Sequence, residues 1–156
     1  MKYCKLCVYP IVTVNLDISN DDICSSCKSF EKSEKLSSEF WDKKKERFEQ
    51  IVEETLKNNT SNYDCLIPVS GGKDSYYQIH VIAKEFGLKP LLMTYHGNNF
   101  LPEGDYNRDR MRHVFDADHI VWGPSIDVLK KLNRLGFKKM GDMNWQNHCG
   151  IFTAPI

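Results

Sequence analysis

The chain reads as an α/β protein, a doubly wound parallel sheet behind a small cysteine-rich module. Two C-x-x-C pairs stand within the first 28 residues. From residue 63 onward short apolar runs alternate with amphipathic stretches, the order of strand and helix in a parallel sheet. The first of those runs, Cys65-Leu66-Ile67-Pro68-Val69, ends in a Gly-Gly turn that leads into a helical pattern. The 156 residues leave room for one domain of usual size and an appendage.

The appendage comes first. Cys4-Lys5-Leu6-Cys7 and Cys24-Ser25-Ser26-Cys27 have the spacing of a four-thiolate metal site, and each pair is expected to form a turn that points two sulfurs at one ion. Residues 11–18 alternate like a strand, and Asn20-Asp21-Asp22 reads as a turn. A zinc ribbon or knuckle over residues 1–28 follows, with metal binding supplying its folding energy. An iron–sulfur cluster also accepts four cysteines. A redox dithiol fits less well, because there are two pairs and neither is expected at the start of a helix in a βαβ unit.

Composition points to the cytoplasm. Lys and Arg balance Asp and Glu at 21 each, so no global charge demands nucleic acid or an anionic membrane. No apolar stretch approaches the ~18 residues of a membrane span, and Met1-Lys2-Tyr3-Cys4 lacks a signal-peptide core. Paired cysteines in such a chain favour metal over disulfides.

Residues 29–62 form a connector. Phe40, Trp41, Phe48, Ile51, Val52 and Leu56 recur at helical spacing through a Lys- and Glu-rich stretch, predicting one helix over 29–57. The basic cluster at 43–47 reads as a solvated face, since acidic residues interleave it. Asn58-Asn59-Thr60-Ser61-Asn62 ends the helix and serves as the linker.

The main domain, 63–156, follows. A strand is predicted near Tyr63–Val69, a helix from Lys73 to Phe86 closed by Gly87, and a second strand near Pro90–His96. A loop carrying Gly97-Asn98-Asn99 and Pro102-Glu103-Gly104 leads to a helix near Tyr106–Phe115. The third strand, near His119–Trp122, stops at Gly123-Pro124, and Ser125 caps a helix through Leu135 with Gly136 after it. Ligands of such sheets bind outside the carboxyl ends of the strands, which places Ser70, His96, Gly97 and Gly123 along one rim.

The turn itself, Ser70-Gly71-Gly72-Lys73-Asp74-Ser75, suits phosphate. Backbone N–H groups and the positive end of a helix dipole converge on one point. Two glycines let the backbone approach an anion without a Cβ, Lys73 can neutralise charge, and the Ser70 and Ser75 hydroxyls can donate. It is not the common nucleotide P-loop, which would need glycine at position 67 and Ser or Thr after the lysine, where Ile67 and Asp74 stand.

The Ser-Gly-Gly-Lys-Asp-Ser run resembles the pyrophosphatase loop of the adenosine-nucleotide α-hydrolase superfamily, whose enzymes cleave ATP between the α and β phosphates. The resemblance narrows with Cys4-x-x-Cys7-Val8 and Cys24-x-x-Cys27, with Tyr63-Asp64-Cys65-Leu66-Ile67-Pro68-Val69 into the loop, and with Asp118-His119-Ile120. Gly141-Asp142-Met143-Asn144-Trp145 and His148-Cys149-Gly150-Ile151 add to it. On these residues the chain is similar to the N-terminal part of the N-acetyl sugar amidotransferases of bacterial surface-polysaccharide (lipopolysaccharide) biosynthesis. The resemblance implies ATP, Mg²⁺ and Zn²⁺ as cofactors and an N-acetylated sugar, carried on a nucleotide, as substrate. Its acetamido group would become an acetamidino group, with a glutaminase subunit supplying ammonia. A superfamily sheet has five or so strands against three here, which leaves three expectations open: a fragment, a natural truncation, or a split protein whose C-terminal half is a separate partner chain.

The implied chemistry assigns roles by residue. Adenylation of the amide oxygen makes a leaving group that ammonia displaces. Gly71, Gly72 and the helix N-terminus would hold pyrophosphate, Lys73 would offset the developing charge, and Asp74 would carry Mg²⁺. Lys73 and Asp74 are the catalytic candidates; Ser70 and Ser75 contact phosphate, and His96 and Gly97 line the adenosine pocket. Asp116, Asp118 and His119 look like a metal set at first sight, but alternating strand faces would separate them. His80 and His113 read as structural, and Cys65 as a core residue. A tRNA-thiolating enzyme would instead need Cys65 and Cys149 as catalytic thiols. A third reading is a nucleotide-binding module without catalysis.

Overall fold

The computed structural model describes residues 2–10, 12, 16–97 and 101–156. The chain divides into two compact units, Met1–Glu53 and Glu54–Ile156.

In the first unit the chain turns back on itself at Cys4–Tyr9. Tyr3 and Pro10 form an antiparallel bridge, Cys4 N–H donates to Tyr9 O at 3.0 Å, and Val8 N–H donates to Cys4 O at 2.9 Å. The turn needs left-handed backbone at Val8 (φ 60), a costly conformation for a β-branched side chain. A second bridge joins Ile18 to Cys24, and helix α1 (Ser25–Glu34) follows at once. Positions 11 and 13–15 of the expected strand lie outside the described residues.

Two expectations for this unit are corrected. The second C-x-x-C does not form a free turn; it opens α1, with Cys24 in extended conformation and its sulfur accepting from Cys27 N–H as the helix cap. The connector is two helices rather than one, because α2 (Ser38–Asn58) starts afresh after Ser37, whose hydroxyl oxygen accepts from Phe40 N–H at 3.3 Å. α2 runs across the division between the units.

The second unit is mixed α/β around a three-stranded parallel sheet in the order β1 (Cys65–Pro68), β2 (Pro90–Tyr95), β3 (His119–Trp122). Cys65 pairs with Pro90 and Leu92 with His119. Helix α3 (Lys73–His80) widens into a π-turn over Val81–Glu85, and Gly87 in left-handed conformation (φ 66) releases the chain toward β2. Ile67, Val69, Leu92, Ala117, Ile79 of α3 and Met111 of α4 (Pro102–Phe115) make one buried cluster. Along β2 burial alternates, so Leu92 and Thr94 join that layer while Met93 and Tyr95 are half-buried on the other face.

Two helix boundaries differ from expectation. Pro102-Glu103-Gly104 is the first turn of α4 and not a loop, since proline at the first helical position gives up no hydrogen bond. Helix α5 (Ile126–Met140) passes through Gly136 and ends at Gly141 (φ 72). Gly136 is buried in the helix because the following turn lies against it: a Cβ there would meet Asp142 O at 2.7 Å. Helix α6 (Trp145–Thr153) closes the described chain. Among the described residues no helix is long and apolar enough to cross a membrane.

Candidate functional site

The first unit carries a candidate metal centre. The sulfurs of Cys4, Cys7, Cys24 and Cys27 all lie within 4.8 Å of one another. Cys4 Sγ is 3.9 Å from Cys27 Sγ, and Cys7 Sγ is 3.7 Å from Cys24 Sγ. A tetrahedron of ~2.3 Å zinc–sulfur bonds has edges of about 3.8 Å, so the cage has the size of a zinc site. Cys24 N–H donates to Cys4 Sγ at 3.3 Å and Cys27 N–H to Cys24 Sγ at 3.4 Å.

Backbone donors favour the thiolate of Cys4. Backbone N–H groups, first that of Cys7 and then that of Cys24, hold Cys4 down at about 6. The Cys24 and Cys7 side chains push Cys27 up to about 12. Cys7 is also raised, although the Tyr9 N–H pulls the other way, because burial and the thiols of Cys4 and Cys24 oppose its charge. Four thiolates this close repel each other, and a cation at their centre removes that opposition. The four cysteines could therefore hold a metal ion such as zinc.

The second unit carries the glycine turn, placed between β1 and α3 at the carboxyl end of the sheet. Gly71 adopts φ 87, and a Cβ there would stand 2.9 Å from Arg108 Cγ and 3.1 Å from Gly104 O. Packing against α4 and backbone sign thus account for this glycine; its missing Cβ does not face a ligand. Gly72 is different. It caps α3 at φ −81, and among the described residues a Cβ there would meet only Ser70 Oγ, at 3.5 Å. Nothing inside the unit requires glycine at 72, and the space beside it is open.

Ser70 N–H donates to Ser75 Oγ at 3.1 Å, the two hydroxyls are 3.4 Å apart, and Gly72 N–H reaches Ser70 Oγ at 3.4 Å. Lys73 and Asp74 project outward as a 2.5 Å ion pair, with side chains 91% and 83% exposed. Both are therefore accessible to a ligand approaching the loop. Mg²⁺ takes oxygen donors, and the Asp74 carboxylate on the first turn of α3 is of that kind.

A cavity of about 460 Å³, within the usual range for small-molecule sites, begins at this loop. Ser70, Ser75, Thr94, Tyr95, Asn147 and Ile151 are among the residues that line it. His96 and Gly97 stand at the same rim but do not line the cavity. His96 N–H donates to Trp122 O at 2.6 Å, and Gly97 is packed so tightly that a Cβ would lie 2.4 Å from Asn147 Oδ1. Asn98 and Asn99, the rest of that expected loop, lie outside the described residues.

α6 is the element that sequence reasoning underused. The Tyr95 hydroxyl donates to Gln146 Oε1 at 2.8 Å, and the Gln146 amide donates to Asn133 Oδ1 at 3.1 Å and to Gly97 O at 3.4 Å. Gln146 is buried by this network, and the Tyr95 ring lies where any Cβ on Gly150 would be, 2.3 Å away. Sequence reasoning drew on the stretches Gly141–Trp145 and His148–Ile151, and Gln146 and Asn147 fall between them. His148 is exposed, and Cys149 is half-buried on the same helix.

Other candidates lie elsewhere. Cys65 opens β1, at the end opposite the loop, and burial pushes its thiol up. The Tyr63 hydroxyl donates to Asp118 Oδ2 at 2.6 Å, while His119 Nε2 meets Thr94 Oγ1 at 2.9 Å, so Asp118 and His119 have different partners. A second cavity of about 420 Å³ is lined by Tyr63, Arg112, Asp116, Asp118 and His119 among others; it sits at the amino end of the strands. That is the end where parallel sheets do not bind their ligands. Comparison with protein-family models and with curated proteins finds no match to this chain.

Proposed function

We propose that the chain is an ATP-dependent N-acetyl sugar amidotransferase of the pyrophosphatase-loop kind. The observation that carries the reading is the Ser70–Ser75 turn between β1 and α3 at the carboxyl end of a parallel sheet, with an open face at Gly72 and a cavity beside it. The helices that meet the sheet from both sides, α3 and α4 at Leu92 and α6 at Tyr95, are consistent with a doubly wound arrangement.

In this reading the amides of Gly72 and the first turn of α3 receive the β and γ phosphates of ATP, and the Ser70 and Ser75 hydroxyls donate to their oxygens. Lys73 swings from Asp74 to the phosphates, which frees the Asp74 carboxylate for Mg²⁺. Bound there, Mg²⁺ would offset the charge that develops as the α–β bond breaks. The amide oxygen of the sugar takes the α phosphate as AMP; ammonia from a glutaminase subunit then displaces AMP and leaves an amidine. The site of Cys4, Cys7, Cys24 and Cys27 is a structural zinc centre, and the protein works in the cytoplasm.

The test is pyrophosphate release from ATP-Mg²⁺ in the presence of N-acetylated nucleotide sugars. Release that depends on the sugar supports the proposal. Release that depends on tRNA would replace it with a thiolating enzyme, and ATP binding without release would leave a nucleotide-binding module. The thiolating alternative asks Cys65 and Cys149 to act on one atom. Cys65 is level with Pro90 and α6 packs at Tyr95, which leaves about 16 Å of strand between them at ~3.3 Å per residue.

A further inference from the structure

The peptide bond between Val69 and Ser70 joins the sheet to the loop, and side chains hold both of its polar groups. Val69 N–H still donates to Met93 O at 2.8 Å, a rung of the ladder. Val69 C=O, however, accepts from the Thr94 hydroxyl at 2.7 Å, and Ser70 N–H donates to Ser75 Oγ at 3.1 Å. Thr94 is 2% exposed, so its bond to Val69 is shielded from water; Ser75 is 8% exposed, but its partner Ser70 stands at the surface.

Thr94 has one proton and gives it to Val69. It is therefore the acceptor in its 2.9 Å contact with His119 Nε2, and that nitrogen carries the hydrogen. His119 belongs to β3, so a chain of hydrogen bonds runs from β3 through Thr94 of β2 to Val69, just past the end of β1, at the first peptide of the loop. Burial, and after it Arg108 and Arg112, keep the His119 ring toward its neutral form against the opposing Asp109. Nε2 donates in either charge state.

We propose that Thr94, backed by His119, is a positioning residue for the 70–75 loop. With Ser75 it fixes the plane of the Val69–Ser70 peptide, so the amides that follow face one point before an anion arrives. A loop ordered in advance does not lose that freedom on binding. The assignment rests on the reading that this loop binds phosphate.

The experiment uses the full chain, with pyrophosphate as probe and two variants. Thr94→Val keeps the shape and removes the hydroxyl; Thr94→Ser keeps the hydroxyl. Amide hydrogen exchange without ligand and calorimetric titration with pyrophosphate are measured on each. In Thr94→Val, amides 70–74 should exchange about tenfold faster, the β2 and β3 amides should not change, and pyrophosphate affinity should fall about tenfold. Thr94→Ser should match the wild type in both. Wild-type exchange at residue 70 in Thr94→Val, equal affinity, or failure of Thr94→Ser to rescue would overturn the assignment while leaving the phosphate reading intact. A wild-type chain that does not bind pyrophosphate would remove the phosphate reading and the positioning role with it. Should Thr94→Val lose protection throughout the sheet, Ser75→Ala cuts the other end of the same peptide. Faster exchange confined to 70–74 then supports the assignment, and unchanged exchange there overturns it.

Discussion

Among the described residues of Met1–Glu53, the buried apolar side chains are Cys4, Cys24 and Val52, whereas Glu54–Ile156 buries Ile67, Val69, Ile79, Leu88, Leu92, Met111 and Ala117. In the first unit two of the three buried groups are themselves members of the candidate site. In the second, the loop stands on a core that contains none of the exposed residues meant to meet a ligand. Candidate site and stabilising core are therefore separable in the second unit and not in the first. A metal held by the four cysteines would supply most of what holds the first unit together, whereas the second unit should keep its fold when an exposed loop side chain is altered.

The largest effect expected is therefore metal loss. Structural zinc contributes about 10–16 kcal/mol to small modules of this kind. Chelation, or Cys24→Ser, should abolish exchange protection over residues 2–28 and leave the amides of β2 and β3 protected. Metal analysis of the purified wild type should give about one equivalent of zinc. A metal-free chain with the same protection would break the comparison at its first term.

The converse substitution is Met111→Ala. Met111 is fully buried among Ile67, Leu92 and Ile79, and truncation at such sites typically costs about 2–5 kcal/mol. Thermal melts should show the second unit destabilised by that amount with zinc content unchanged. Loss of zinc in this variant would mean that the units are not independent.

Gly71→Ala comes next. It places a Cβ at φ 87 and 2.9 Å from Arg108 Cγ, for an expected cost of about 1–3 kcal/mol, read from a denaturant titration. Lys73→Ala is smaller still in stability, because the side chain is 91% exposed; its melt should be unchanged. Its effect should show in pyrophosphate affinity, weakened roughly ten- to a hundredfold by loss of a charge-assisted contact. A Lys73→Ala chain that binds pyrophosphate like the wild type would remove the lysine from the site.

How much of this was legible depends on where the determining contacts lie. β3 coincides with its expected span, His119–Trp122, because Gly123-Pro124 ends it locally. The loop was legible because strand, glycines and helix are consecutive. Local rules misjudged Pro102, which starts a helix as easily as it breaks one, and Gly136, whose place in α5 is set by Asp142 in the next turn. Cys24 gave no sign that it would cap a helix, since cysteine is not a usual cap. The holders of the site, Thr94 on Val69 and Gln146 on Tyr95, join residues 25 and 51 positions apart. Nothing in a local pattern marks such pairs; they exist only once the strands are adjacent.

In the proposed function phosphate sits on the open side of Gly72, and the decisive variant is Gly72→Thr. Threonine and glycine serve about equally well as helix N-caps, φ −81 suits either, and the added Cβ meets Ser70 Oγ only at ordinary contact distance, 3.5 Å. Gly72→Thr should leave the melting temperature unchanged and weaken pyrophosphate affinity at least about tenfold in calorimetric titration. Equal affinity of Gly72→Thr and the wild type, or no binding by the wild type at millimolar pyrophosphate, would contradict that placement of phosphate.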